Sequence, residues 1–202
     1  PDREVRQLHL GGGSPTFLDD AQLERLIGLL DQRFKMNRTG EWSIEIDPRT
    51  VDVKRMHHLA KLGFNRVSFG VQDINEDVQV AVNRIQRLEQ TRACIQAARD
   101  VGMKSVAMDL IYGLPLQTLE SYRETLKVVS ELAPDRIAIY NYAHLPERFK
   151  AQRLIQRHQL PSAETKLEIQ DLIREELLAS GYVHIGMDHY AKPNDELVNA
   201  LN

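Results

Sequence analysis

Val5-Arg6-Gln7-Leu8-His9-Leu10-Gly11-Gly12-Gly13-Ser14-Pro15-Thr16 begins as a short apolar β-type run and breaks into a glycine cluster. A helix signal follows. Asp19 is a good N-cap, Gln22 stands three residues on as a capping-box partner, and Leu18 and Leu23 sit where a hydrophobic staple places them. Leu23, Leu26, Ile27, Leu30 and Phe34 mark one face of that helix. The same order recurs along the chain. Strands are predicted at Trp42 to Ile46, Arg66 to Val71, Ser105 to Ile111 and Arg136 to Tyr140, with a last short run at Val183 to Met187. Helices are predicted between them: one on Val53, Met56, Leu59 and Ala60 that closes at Gly63, one from Asn75 to Val82, and one from Leu88 to Val101 before Gly102. A helix capped by Thr118 stops before Pro134, and another runs from Ser162 to Gly181. Parallel strands need helical crossovers, so the alternation predicts an α/β fold with a parallel sheet. A repeat of about 35 residues per unit favours a barrel, or part of one, over a small open sheet.

Composition narrows the class. With 202 residues there is room for one domain or two very small ones. A chain that is 42% hydrophobic and 27% charged is not disordered, collagen-like or a coiled-coil rod. The net charge of −3 disfavours a general nucleic-acid binder. A single cysteine, Cys94, excludes a disulfide framework and an all-cysteine metal site within this chain, and fits a reducing compartment. No apolar run approaches the ~20 residues of a membrane span. The start at Pro1-Asp2-Arg3-Glu4 reads as a cut inside a longer chain.

In a parallel α/β sheet, ligands bind beyond the carboxyl ends of the strands. Glycines and polar side chains collect at those ends here: Gly11 to Thr16, Glu45 and Asp47, Gln72-Asp73, Asp109 with Tyr112-Gly113, Asn141 to His144, and Asp188-His189. Three glycines followed by Ser-Pro exceed the needs of a tight turn, and they permit close approach of backbone to a ligand. Glu45 shares a strand face with Ser43 and Asp47, opposite Trp42, Ile44 and Ile46. A carboxylate there needs a partner: the ammonium of a ligand, or a salt bridge to Arg66, and both remain open. Asp109 poses the same question within Met108 to Ile111, and the Gln72 amide could equally cap the next helix.

Cys94 sits beside the core stripe of its helix and is read as filling space. His57 and His58 are adjacent on a helix and share no face, which argues against a metal pair. Asp188-His189 is read as a hydrogen-bonded pair on the rim. Arg148, Lys150, Arg153 and Arg157 form a basic helical face, either solvated or attracting a polycarboxylate substrate. There is no Ser-His-Asp order, Walker A loop or HExxH.

Four motifs occur in order: Gly11-Gly12-Gly13-Ser14-Pro15-Thr16, Ser43-Ile44-Glu45-Ile46-Asp47-Pro48, Asn65 to Asp73 (NRVSFGVQD), and Asp109 to Pro115 (DLIYGLP). Together the chain resembles the oxygen-independent coproporphyrinogen III oxidases of the radical S-adenosylmethionine (SAM) family, over nearly its whole length. The same motifs occur in a sister family of haem chaperones. The segments Val82 to Gln86, Asn141 to Pro146 and Gly186 to Pro193 match the oxidase instead. Ser14 stands where Thr is usual, and keeps the hydroxyl.

The resemblance implies a partial (β/α)6 radical SAM barrel lacking its first βα unit. The 202-residue chain would be the barrel core, with barrel units over roughly 1–145 and a helical extension and last strand over 146–202. Gly12, Gly13 and Ser14 would bind the amino-acid end of SAM. Glu45 would contact SAM, and Gln72, Arg84, Asp109 and Ala143 would line the SAM region. The implied reaction is oxidative decarboxylation of two propionates of coproporphyrinogen III to vinyl groups, giving protoporphyrinogen IX in haem biosynthesis. It implies SAM and a [4Fe-4S] cluster, an electron donor to that cluster, no nucleic-acid or membrane partner, a monomer and a cytoplasmic setting. The cluster's Cys-x3-Cys-x2-Cys loop is absent from this sequence, so its ligands are expected upstream and the chain by itself is expected to be inactive. A haem chaperone, or a barrel that binds SAM without radical chemistry, are the rival readings.

Overall fold

The computed structural model describes residues 3–201; Pro1 and Asp2, part of the run read as a cut, lie outside the described residues. The described elements are β1 (Glu4–Leu10), α1 (Asp20–Arg33), β2 (Lys35–Ile46), α2 (Val53–Leu62), β3 (Arg66–Gln72), α3 (Glu76–Ala81), α4 (Leu88–Asp100), β4 (Ser105–Tyr112), α5 (Leu119–Leu132), β5 (Arg136–Asn141), α6 (Ala163–Ala179), β6 (Val183–Gly186), β7 (His189–Ala191) and α7 (Glu196–Asn199). The chain divides into two compact units. The first holds the residues up to Gly70 together with Leu88–Ala107, and the second holds Val71–Arg87 and the chain from Met108 onward.

In the first unit the strand order is β1-β2-β3-β4. β1 pairs parallel with β2, and β2 parallel with β3. Period-two alternation on β2 buries Trp42, Ile44 and Ile46 almost completely. Met56 and Leu59 from α2, Leu23 and Ile27 from α1, and Ile95 and Ala98 from α4 are buried in the same unit. The helix signals hold. Asp19 and Gln22 close a reciprocal capping box, at 2.8 and 2.9 Å. Gly63 ends α2 at φ +106, where a residue with a Cβ is strained.

β2 departs from expectation. It starts at Lys35, well before Trp42, because Lys35 and Met36 pair with Glu4 and Val5 before the register shifts. Gly40 lies at that irregularity; a Cβ there would meet the Arg6 carbonyl oxygen at 2.1 Å. Phe34, expected on the α1 face, is instead the extended residue that ends α1, and it is half exposed.

In the second unit the order is β4-β5-β7-β6, and β7 runs antiparallel to both β5 and β6. The final apolar run is therefore a hairpin, not one more parallel strand. Only Met187 and Asp188 separate β6 from β7, far too few for a crossover. Gly186 and Met187 take φ of +123 and +49, which lets the chain reverse there. The stretch expected as a basic helix also differs: it folds as two short 3-10 turns, Lys150–Leu154 and Arg157–Gln159. Its side chains bind nearby backbone instead. Gln152 accepts from Leu145 N–H and donates to the Ala143 carbonyl, and Arg153 Nε donates to the Pro146 carbonyl. Such local bonds compete with a helical ladder.

Two buried polar features shape these units. In the second, Asp73 is 2% exposed. It accepts hydrogen bonds from Asn75 N–H, the Gln117 amide and the Thr125 hydroxyl. Burial pushes its carboxyl above the ordinary aspartate range, and those hydrogen bonds pull it part of the way back. In the first, Cys94 is buried with its Sγ 3.4 Å from the Val51 carbonyl oxygen and 3.7 Å from that of Pro48. Burial, with a smaller contribution from Asp52, pushes this thiol up to about 11.

The native state holds the Asp73 proton more tightly than the unfolded chain does. Its contribution is therefore greatest at low pH and is lost as pH rises through the raised value. Urea unfolding should show a decline in stability just above the ordinary aspartate range, and Asp73→Asn should remove that part of the slope. An unchanged slope would contradict the assignment. Cys94 should resist alkylation by iodoacetamide at pH 8 in the folded chain and react fully in denaturant; rapid modification of the native chain would contradict its burial.

Candidate functional site

The first unit brings the glycine cluster and Glu45 together at the carboxyl ends of β1 and β2. Gly12 and Gly13 are exposed, with φ of +74 and +61. Open space surrounds the position where a Cβ would stand on either. The result is a strip of bare backbone on which a ligand can lie closely. Gly12 N–H donates to Glu45 Oε2 at 3.0 Å. The other carboxylate oxygen, Oε1, lies 3.3 Å from His9 Nε2, and the Glu45 side chain is 43% exposed. Its partners are therefore the loop and His9. The alternative partner, Arg66, lies 3.6 Å from Glu41. Ser14 is exposed and follows the strip, its carbonyl accepting from Phe17 N–H. Asp47 is committed elsewhere: it caps the 3-10 turn Pro48–Thr50 and grips the Arg49 guanidinium with both oxygens.

Gln72, Arg84, Asp109 and Ala143 belong to the second unit. Gln72 ends β3 at φ +68, a left-handed conformation that is uncommon for a residue with a side chain. It does not cap the next helix; Asn75 does, accepting from Asp77 and Val78 N–H. Asp73, the next residue, is anchored in the buried network described above. Arg84 and Asp109 are half-buried. Ala143 is exposed, and its carbonyl accepts from the Gln152 amide at 3.0 Å.

Three contributors were not singled out by reading the sequence. His9 is one, although the alternation of β1 places it between Leu8 and Leu10, on the opposite face. Gln117 is the second, reaching from the loop before α5 to both Asp73 and the Ile111 carbonyl. Lys166 is the third. From α6 its Nζ donates to the Tyr142 carbonyl at 3.0 Å and lies 3.4 Å from Asn141 Oδ1, and burial lowers its pKa. Its chain passes so close that a Cβ on Gly113 would meet Lys166 Cε at 2.7 Å. No sequence spacing links residues this far apart.

The donor set decides which cofactors these residues could hold. An ammonium and carboxylate, as at the amino-acid end of SAM, fit a half-exposed Glu45 beside bare glycine backbone. An iron–sulfur cluster does not fit. Cys94 is the sole thiol, buried, and holds its proton to about 11. Among the described residues no group of three or more His, Cys, Asp or Glu is placed to hold a metal ion. Among the same residues no helix is long and apolar enough to cross a membrane.

Comparison with known proteins places the chain in a family. The chain is 52% identical to the oxygen-independent coproporphyrinogen III oxidase of Salmonella typhimurium over 199 residues, 98% of this chain and 44% of that protein. It is 50% identical to the oxidase of Pseudomonas aeruginosa over 201 residues, again 98% of this chain and 44% of the relative. The chain thus spans less than half the length of these curated relatives. The solved structure of coproporphyrinogen III oxidase from Escherichia coli, described as a radical SAM enzyme, superposes with a TM-score of 0.96 at 52% identity, covering 98% of this chain and 46% of that one. Archaeal Elp3 from Methanocaldococcus infernus shares the fold alone, with a TM-score of 0.68 at 20% identity over 86% of this chain and 45% of that one. The model of the radical SAM superfamily matches residues 1–129, and this chain belongs to that superfamily.

Proposed function

We propose that this chain is the SAM-binding core of an oxygen-independent coproporphyrinogen III oxidase, acting in the conversion of coproporphyrinogen III to protoporphyrinogen IX. The observation that carries the reading is the likeness to the Escherichia coli oxidase, at 52% identity and a TM-score of 0.96 over 98% of this chain. Each of two propionates becomes a vinyl group with loss of carbon dioxide, a hydrogen atom and one electron, the electron passing to an acceptor outside these residues. Bound SAM supplies the hydrogen-abstracting chemistry.

The roles proposed for the chain's own residues rest on the likeness to these oxidases. Gly12 and Gly13 hold the amino-acid end of SAM against backbone, with Ser14 offering its hydroxyl beside them. Glu45 pairs the SAM ammonium, its carboxylate already turned toward the loop by Gly12 N–H. The same likeness assigns Gln72, Arg84, Asp109 and Ala143 to SAM contacts. The segment from Glu147 to His158 suits a polycarboxylate substrate. Arg148, Lys150, Arg153 and Arg157 are exposed there against the single carboxylate of Glu147, and Phe149 and Leu154 present apolar surface between them. The cluster's ligands and the electron donor belong to protein outside these residues. The working setting is the cytoplasm, and the working form is a monomer.

In a full-length oxidase carrying this chain, Glu45→Ala should weaken SAM binding by about 1.5–3 kcal/mol in equilibrium dialysis. Unchanged affinity would reject the Glu45 role. The 202-residue chain alone, given iron, sulfide, dithionite and SAM under anoxia, should yield no 5′-deoxyadenosine; its formation would show that the chain carries a cluster after all.

A further inference from the structure

We infer that His9 is a positioning residue for SAM binding, acting through Glu45. The inference rests on the proposed Glu45–ammonium contact and goes beyond it, because none of the sequence motifs includes His9.

Parallel pairing of β1 and β2 sets His9 opposite Ser43, and the two-residue period of β2 brings Glu45 to the same face. The imidazole bridges both side chains. Nδ1 lies 2.8 Å from Ser43 Oγ, and Nε2 lies 3.3 Å from Glu45 Oε1. Nδ1 shares a hydrogen bond with the Ser43 hydroxyl, and that bond turns Nε2 toward the Glu45 carboxylate as a close polar neighbour. Glu45 Oε2 takes the Gly12 N–H. One carboxylate oxygen is thus held by the loop, and the other faces the ring.

Gly11 belongs to the same arrangement. A Cβ at Gly11 would stand 2.5 Å from His9 Nε2 and 2.7 Å from Glu45 Oε1. The His9–Glu45 pair fills the space over Gly11, while the space over Gly12 and Gly13 is left open for a ligand. Both partners are substantially exposed, at 58% and 43% of their side chains. A pair this exposed adds little to folding stability. Its effect lies in immobilising a flexible carboxylate before the ligand arrives, which lowers the entropy lost on binding.

The test measures SAM affinity by equilibrium dialysis in the full-length, cluster-reconstituted protein. His9→Phe keeps a ring but removes both nitrogens, and should weaken SAM binding roughly three- to tenfold with little change in Tm. His9→Gln restores a donor near the Nε2 position and should recover most of that loss. In a Glu45→Ala background, His9→Phe should have no further effect. Wild-type affinity in His9→Phe, with weakened binding in Glu45→Ala, would overturn the role of His9 and leave the Glu45 reading standing. An equal loss from His9→Phe in both backgrounds would overturn action through Glu45. Unchanged affinity in Glu45→Ala would remove the reading beneath the inference. Should His9→Phe fail to fold, Ser43→Ala in place of it should produce a smaller loss that also vanishes with Glu45→Ala; full affinity in Ser43→Ala would then overturn the positioning role.

Discussion

A carboxylate standing at a strand end, with one oxygen on a backbone N–H and the other 3.3 Å from an imidazole nitrogen, is the feature on which the proposed site depends. It exists because β2 alternates strictly over its last turns. Trp42, Ile44 and Ile46 enter the core, so Ser43 and Glu45 must face the other way. The core residues thereby fix the direction of the functional ones. A one-residue slip in register would bury Glu45 and expose Trp42, and the Trp42 anchors oppose it. Trp42 Nε1 donates to the Asn37 carbonyl at 3.0 Å, the Arg38 guanidinium lies 4.5 Å above the indole ring, and the Phe64 ring meets it edge-on.

The second unit uses a different device for a related end. Gln72 leaves β3 in a left-handed conformation that costs about 1 kcal/mol or more for a residue with a side chain. The Asp73 network over-determines the turn: three donors converge on one buried carboxylate within two residues of that strain. Glycine provides freedom at the first rim loop, and a buried acid provides rigidity at this one. Both leave backbone and side chain presented at the end of a strand, where an α/β fold binds its ligands.

Much of this was legible from sequence. The capping box at Asp19 and Gln22, the Gly63 stop and the Thr118 cap are local signals that predict their helix ends nearly to the residue, and the apolar runs around Ile44, Val67 and Met108 mark their strands. The β2 face alternation that exposes Glu45 is equally local. What stayed hidden depends on partners far along the chain. The polar first half of β2 is a strand only because Glu4 and Val5 pair with it. The β6–β7 hairpin follows from two positive-φ residues and from β5 accepting an antiparallel neighbour. His9 gained a role only once the register of two strands was known, and Lys166 once α6 was packed in place.

In the proposed function, SAM is gripped at the Gly12–Glu45 corner. Hydrogen–deuterium exchange read by mass spectrometry, with and without SAM, tests it most directly in the full-length protein. Slowed exchange in the peptides covering Gly11–Ser14 and the end of β2 is the predicted result. Protection confined to other peptides, with these two exchanging at their ligand-free rates, would contradict it.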